Sequence, residues 1–297
     1  MSKLFYPILY ADDSTLISTL NLFKQRNKAS NINKELNKFN IWLCANKLSL
    51  NCKKSKAMIF HFPQKHISYP NIYIDNTLIE YVDTFNFLGI FIDKNLKWKS
   101  HCSYIAGKMS KVVGILNKLK HFVPPKILFS IYNALIVPHL NYGNILWGDK
   151  NEEIFLIQKK AVRVMTLNKY RAHTSRLFKK LGILKFPDIC ALHDYKFCFK
   201  LENKQLPMYF YSIFQKNSDV ISYNVRNLDD YVIPLVKHEY FKQSIRFRIP
   251  EFFNDMETDA KSKIYTHSLI GFKLFIKRNI ILSYPEACNI LDCPSCN

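Results

Sequence analysis

Glycine is scarce in this chain: seven in 297 residues, with no GxGxxG and no GxxxxGK[ST] string. That argues against a glycine-rich phosphate loop and against a β-sandwich, whose tight turns draw on glycine. Long apolar runs are missing too, since no stretch approaches the roughly 20 residues that a spanning helix needs. Lys3 is followed only by a brief apolar segment and then by acids, so the N-terminus does not read as a secretory signal. The eight cysteines, at 44, 52, 102, 190, 198, 288, 293 and 296, lack the density of a disulfide framework and read as reduced thiols of an intracellular protein, nuclear or cytoplasmic. Acid is the last shortage. Lys and Arg number 43 against 23 Asp and Glu, giving a formal charge of +20. Such an excess marks a polyanion binder, with nucleic acid the first candidate and a membrane surface the competing one.

What is present starts with hydrophobic residues at 48%, enough for a substantial core in two or three substructures. Near the N-terminus the run Leu4 to Leu9 meets Tyr10-Ala11-Asp12-Asp13, and Leu16-Ile17 follow. This reads as a hairpin with adjacent carboxylates at its turn. Mg²⁺ is commonly held by one or two carboxylates plus substrate phosphates, so such a tip suits phosphoryl transfer. A solvated turn with no ligand is the other reading, because Asp is common in turns.

Ile32, Leu36, Phe39 and Leu43 recur at helical spacing, predicting an amphipathic helix that ends near Lys47 and lies on a sheet. Short strands are predicted at 57–62, 71–74, 77–82 and 87–92, separated by Pro63, Pro70 and Asp75-Asn76. After Lys94 the pattern turns helical. Ile105, Met109, Val112, Leu116 and Leu119 form one stripe, followed by a helix from Lys126 that Pro138 should end. Further helices are predicted over about 151–168, 173–182, 188–202 and 266–282, with Pro207, Pro234 and Pro250 breaking the chain between the last two. There is no internal repeat.

Two blocks hold the excess charge. From Lys94 to Lys126 there are eight lysines and no acid, and from Leu156 to Pro187 nine Lys or Arg and again no acid. Blocks of this kind neutralise phosphates. Aromatics lie among them, as in Lys169-Tyr170-Arg171 and Phe178-Lys179-Lys180, and aromatic rings stack on exposed bases. The alternative is that single lysines serve solubility and the aromatics are core.

Several strings in order resemble the C-terminal half of the reverse transcriptase of non-LTR (LINE-type, jockey-like) retrotransposons. They are Tyr10-Ala11-Asp12-Asp13-Ser14; Trp42-Leu43 with Asn46 to Asn51 and Lys54-Ser55-Lys56; Phe87-Leu88-Gly89-Ile90 with Asp93, Leu96, Trp98 and His101; and Tyr132, Leu135, Pro138, Tyr142-Gly143, Trp147-Gly148, Gln158-Lys159-Lys160-Ala161 and Arg163. The likeness spans about 5–200 and weakens towards 285. It implies an α+β fold, with a partial polymerase palm at 1–93 (the YADD hairpin with its helix, and a primer-grip-like hairpin at Phe87 to Ile90), a mostly helical thumb at 94–202 and a C-terminal region of open role at 203–297.

The resemblance also implies roles. Asp12 matches a catalytic metal ligand and Asp13 its neighbour, for Mg²⁺ or Mn²⁺. Tyr10, Lys54, Leu88 and Gly89 match the nucleotide and primer contacts. Lys97, Lys108, Lys111, Lys118, Lys120, Lys159, Lys160 and Arg163 would follow the RNA template and DNA primer. In that family a third carboxylate stands on an earlier palm strand, whereas eleven residues precede Asp12 here. Asp75, Asp83 and Asp93 fall in or beside turns and give no sign of replacing it. The expectation is a fragment of an RNA-directed DNA polymerase that is inactive by itself; the alternative is a non-catalytic nucleic-acid-binding module. Zinc at Cys288, Cys293 and Cys296 is not expected, because a tetrahedral site needs four ligands. Cys190 and Cys198 read as structural thiols.

Overall fold

A computed structural model of the chain describes residues 4–19, 28–61, 69–148, 151–220, 223, 227–236 and 239–286. The chain divides into two compact units, Met1–Ser100 and His101–Asn297. The cysteine trio at 288, 293 and 296 lies outside the described residues.

The first unit begins with the expected hairpin, strands β1 (Tyr6–Tyr10) and β2 (Asp13–Ile17), in antiparallel register from Tyr6 opposite Ile17 to Tyr10 opposite Asp13. Helix α1 (Lys28–Ala45) follows, and its stripe of Ile32 and Leu36 is buried with Ile74 and Ile79. Leu4, Phe5 and Leu16 of the hairpin segment pack on that cluster, as do Leu50, Cys52, Ala57 and Ile72. The remaining strands are short: β3 (Lys56–Ala57), β4 (Tyr73–Ile74), β5 (Thr77–Leu78), β6 (Glu80–Tyr81), β7 (Thr84–Phe87) and β8 (Ile90–Asp93). They pair as β4 with β5, β7 with β8, and β3 parallel to β6.

Three strand predictions need correction, the first being 57–62, of which only Ala57 lies in a strand, β3, while 58–61 are irregular and 62 lies outside the described residues. The run 77–82 divides at Ile79, which turns into the core, leaving β5 and β6 with different partners. The run 87–92 is not the single strand that side-chain alternation predicts but a hairpin, the form that the resemblance implies at Phe87 to Ile90, turning at Leu88 and Gly89, whose φ values of 48° and 83° are both left-handed. Two successive positive φ values have the signs of a type I′ turn, and its twist matches that of paired strands. Alternation of apolar side chains could not distinguish this from a strand, because Leu88 occupies a position usually taken by Asn or Gly.

The second unit is helical: α2 (Lys99–Leu119, its first residues at the cut between units), α3 (Pro125–Leu135), α4 (Val137–Asn141), α5 (Asn144–Trp147), α6 (Glu152–Met165), α7 (Ser175–Leu181), α8 (Phe186–Glu202), α9 (Met208–Ile213), α10 (Asn217–Val220), α11 (Glu239–Lys242), α12 (Ile245–Asn254), α13 (Thr258–Thr266) and α14 (Leu269–Leu282). The stripe predicted on α2 is buried from Ile105 to Leu116. Helix α8 is the centre, packed by α4, α5, α6, α12 and α14. Trp147 is fully enclosed between the edge-on ring of His101 and the stacked ring of Phe186.

Proline does more here than interrupt helices. Pro138 does not end the helical path but sits in the first turn of α4, where a missing N–H has no intrahelical partner to lose. Pro207 caps α9, and Pro250 lies inside α12. The region expected to be broken therefore holds α9 to α13, and it is tied back to the centre. Arg248 of α12 pairs with Asp194 of α8 at 2.9 Å and donates to the Ile145 carbonyl at 2.8 Å. Cys198 is buried and its thiol is pushed well up by that burial, while Cys190 donates to the Gly148 carbonyl at 2.6 Å. Both fit structural roles. Helices with small sheets agree with an α+β class, and no helix among the described residues is long and apolar enough to cross a membrane.

Candidate metal-binding hairpin and nucleic-acid interface

The β1–β2 turn is two residues long, Ala11 and Asp12, closed by the pair Tyr10 and Asp13. Ala11 has a φ of 52°. Positive φ at the first central position of a tight hairpin is ordinarily a glycine conformation, because a Cβ approaches the following carbonyl. Ala11→Gly therefore stabilises the hairpin by about 1 kcal/mol, and Ala11→Val loses at least as much. The measurement is amide exchange of the cross-strand pairs, which slows for glycine and quickens for valine.

Cross-strand partners share a face, so Asp13 stands with Tyr10, Ile8 and Tyr6 on one side, and Pro7, Leu9 and Leu16 lie on the other. The face carrying Leu16 meets α1. The other is open: Tyr6 is 70% and Tyr10 62% exposed. Asp12 and Asp13 are both exposed at the tip. Two exposed adjacent carboxylates fit a single Mg²⁺ that keeps most of its water, and do not by themselves fit a closed two-ion site. Among the described residues no group of three or more His, Cys, Asp or Glu side chains could hold a metal. The later acids are occupied or remote in role. Asp83 pairs with Lys94 at 2.8 Å, Asp93 accepts from the backbone N–H groups of Asn95 and Lys97, and Asp75 lies in the β4–β5 turn.

Of the other predicted contacts in this unit, Lys54 is an exposed turn residue whose N–H bonds Asn51 Oδ1, and Leu88 and Gly89 form the β7–β8 turn. Lys97 is exposed.

In the helical unit, Lys108, Lys111 and Lys118 are exposed along α2, with Lys108 over the Tyr104 ring at 5.4 Å from its centre. Lys159 lies over Phe155 at 4.0 Å. Burial first, then the charges of Arg163 and Lys185, push the Lys159 pKa down.

Three of the predicted residues are brought together. Lys120 at the end of α2, with Lys160 and Arg163 on one face of α6, lines an open cleft of about 440 Å³. His121, Asn168 and Tyr170 line it too. Arg163 is fixed by an Nε–H bond to the Ala172 carbonyl at 2.9 Å, which uses one of its five donors. Among the described residues no carboxylate pairs with Lys120, Lys160 or Arg163. His121 and Asn168 are contributors that sequence reasoning passed over. His121 follows Lys120 in the loop after α2, and a histidine is assignable only when its neighbours in space are known.

No family model matches the chain, and no solved structure matches it significantly. Among curated proteins the chain is similar to the "Probable RNA-directed DNA polymerase from transposon X-element" of Drosophila melanogaster, at 22% identity over 174 residues. The alignment takes in 56% of this chain and 19% of that protein, so the chain spans about a fifth of the curated relative's length. This supports a reverse-transcriptase-like relationship at the level of a distant family tie.

Proposed function

We propose that this chain is the palm and thumb portion of a non-LTR retrotransposon reverse transcriptase, with Asp12 and Asp13 holding Mg²⁺ or Mn²⁺ and the lysine-rich helices following an RNA template and DNA primer. The observation that carries the reading is the two-residue turn. It presents adjacent carboxylates at an exposed tip beside Tyr10, in a chain distantly similar to a transposon polymerase. When bound, the ion would neutralise phosphate charge at the tip. These 297 residues alone offer two carboxylates there, and that supports metal binding without polymerisation.

Two measurements test this. Titration of the chain with Mn²⁺, read by electron spin resonance, gives weak binding that Asp12→Asn abolishes and Asp75→Asn leaves intact. Primer extension by the isolated chain gives no product with either ion, and efficient dNTP incorporation sensitive to Asp12→Ala would overturn the claim of inactivity. A second reading is a nucleic-acid-binding module whose acidic turn does nothing, favoured by the absence of a third ligand among the described residues. Mn²⁺ bound equally by wild type and Asp12→Asn selects it.

A further inference from the structure

The geometry points to the α2–α6 cleft as a site for one unpaired nucleotide of single-stranded nucleic acid, its phosphate held by Arg163, Lys160 and Lys120 and its base stacked on Tyr170. This rests on the nucleic-acid reading above and narrows it to a substrate form and a place.

Three features converge. The first is charge in a concavity. Lys120, Lys160 and Arg163 reach one cleft with no carboxylate in its lining. Arg163 is partly buried, burial lowers its pKa, and among the described residues no carboxylate pairs with it. Its guanidinium is already oriented by Ala172, which limits the ordering lost on binding and favours a planar, bidentate phosphate contact.

The second is size. About 440 Å³ lies in the range of pockets that take small ligands and gives room for one nucleotide. The third is the rim. Tyr170 is 73% exposed and Leu167 57% exposed at the cleft, an aromatic and an apolar surface left to solvent beside the cations. A base already stacked in a helix cannot lie on Tyr170, whereas an unpaired one can. Asn117 supplies an amide donor and acceptor in the same lining, and Asn168, whose Nδ2 donates to Thr166, supplies an acceptor.

Gly114, on the α2 wall, allows a test without changing charge. Open space surrounds the position of a Cβ there, with nothing within 4 Å, so Gly114→Leu adds bulk to the cleft side of a helix that tolerates it.

The experiment is fluorescence anisotropy of the full chain with a labelled 12-nucleotide single strand and with the matching blunt duplex. The single strand is expected to bind more tightly. Tyr170→Ala and Gly114→Leu each weaken it by about tenfold while the duplex changes little, and the pair Lys160→Gln with Arg163→Gln weakens it further. Lys204→Gln, an exposed charge in the turn after α8, outside the cleft and outside the lysine-rich blocks, changes both ligands alike and only slightly. Circular dichroism confirms that each variant is folded. If the wild type binds neither ligand, the nucleic-acid reading fails. If it binds both but the cleft variants behave like Lys204→Gln, the general reading stands and the cleft assignment is overturned. Retention of inorganic phosphate alone, with no preference for the single strand, also overturns it.

Discussion

Gln158→Leu lowers the stability of the helical unit by about 4 kcal/mol, although it preserves size and removes a polar group from the core. Gln158 has no exposure to solvent. Its Nε2 donates to the Tyr132 hydroxyl and to the Leu184 carbonyl, both at 2.9 Å, and its Oε1 accepts from the Phe186 N–H at 2.7 Å. One amide thus joins α3, α6, the loop before α8 and the first turn of α8. Leucine satisfies none of these groups, and each buried partner left alone costs about 1–3 kcal/mol, offset in part by the apolar burial gained.

Tyr132→Phe is milder, at about 1 kcal/mol, because it removes one weak link and leaves the two backbone groups paired. Burial pushes the Tyr132 hydroxyl up to about 12, so it stays neutral over the working range and the comparison is free of a charge change. The double variant loses less than the sum of the two, since Tyr132→Phe deletes a group that Gln158→Leu strands. Urea unfolding followed by far-ultraviolet circular dichroism measures all three. At a slope of about 2 kcal/mol/M the leucine variant shifts the midpoint by roughly 2 M. A shift under about 0.5 M would mean that the three partners find other bonds.

That node also marks where the sequence could and could not be read. Leu116, Met109 and Ile105 announce α2 by spacing alone, because a helix that buries one face must repeat its apolar residues. The acidic hairpin was equally plain, since adjacent carboxylates between two apolar runs have few other settings. Gln158 matched a string of the resembling family but gave no sign of being buried, as its three partners come from residues 132, 184 and 186.

The cleft follows the same logic. Lys120 lies forty residues before Lys160, and only the packing of the two helices decides that these cations converge while Lys108, Lys111 and Lys118 do not. Charge density in the sequence identified the helices and could not choose among their lysines. Helix α12 escapes the sequence for a local reason: Pro250 predicts a break, whereas α12 continues through it. Helix α8 was found although its apolar residues surround it, as befits a helix covered by α4, α5, α6, α12 and α14.

Acid weakens the protein through His193 of α8. Its Nε2 lies 3.0 Å from Asn141 Oδ1, and Asn141 Nδ2 donates to the Val137 carbonyl at 2.7 Å. The amide orientation is thereby set, and His193 must be the donor, with its proton on Nε2. Burial, then the charges of Lys196 and Lys273, push its pKa from 6.5 to about 4. In the unfolded chain the ring takes a proton near pH 6.5, and in the folded protein it resists until about pH 4. The stability from the neutral ring is therefore complete above 6.5 and is lost as pH falls towards 4, where the loss levels off. Because the site is not wholly buried, about 2–3 kcal/mol disappears over that window.

His139 and His101, also lowered by burial, act in the same direction, and Asp188, raised by burial, acts in the opposite one. The informative quantity is thus the difference between wild type and His193→Gln, which keeps an amide donor for Asn141 but cannot titrate. Denaturant unfolding at pH 7.5 gives nearly equal stabilities, and at pH 4.5 the variant is the more stable by about 2 kcal/mol. Parallel curves for the two proteins across that window would show that the folded ring takes up its proton as readily as the unfolded one, and that the enclosure by Asn141, Lys196 and Lys273 does not hold it neutral.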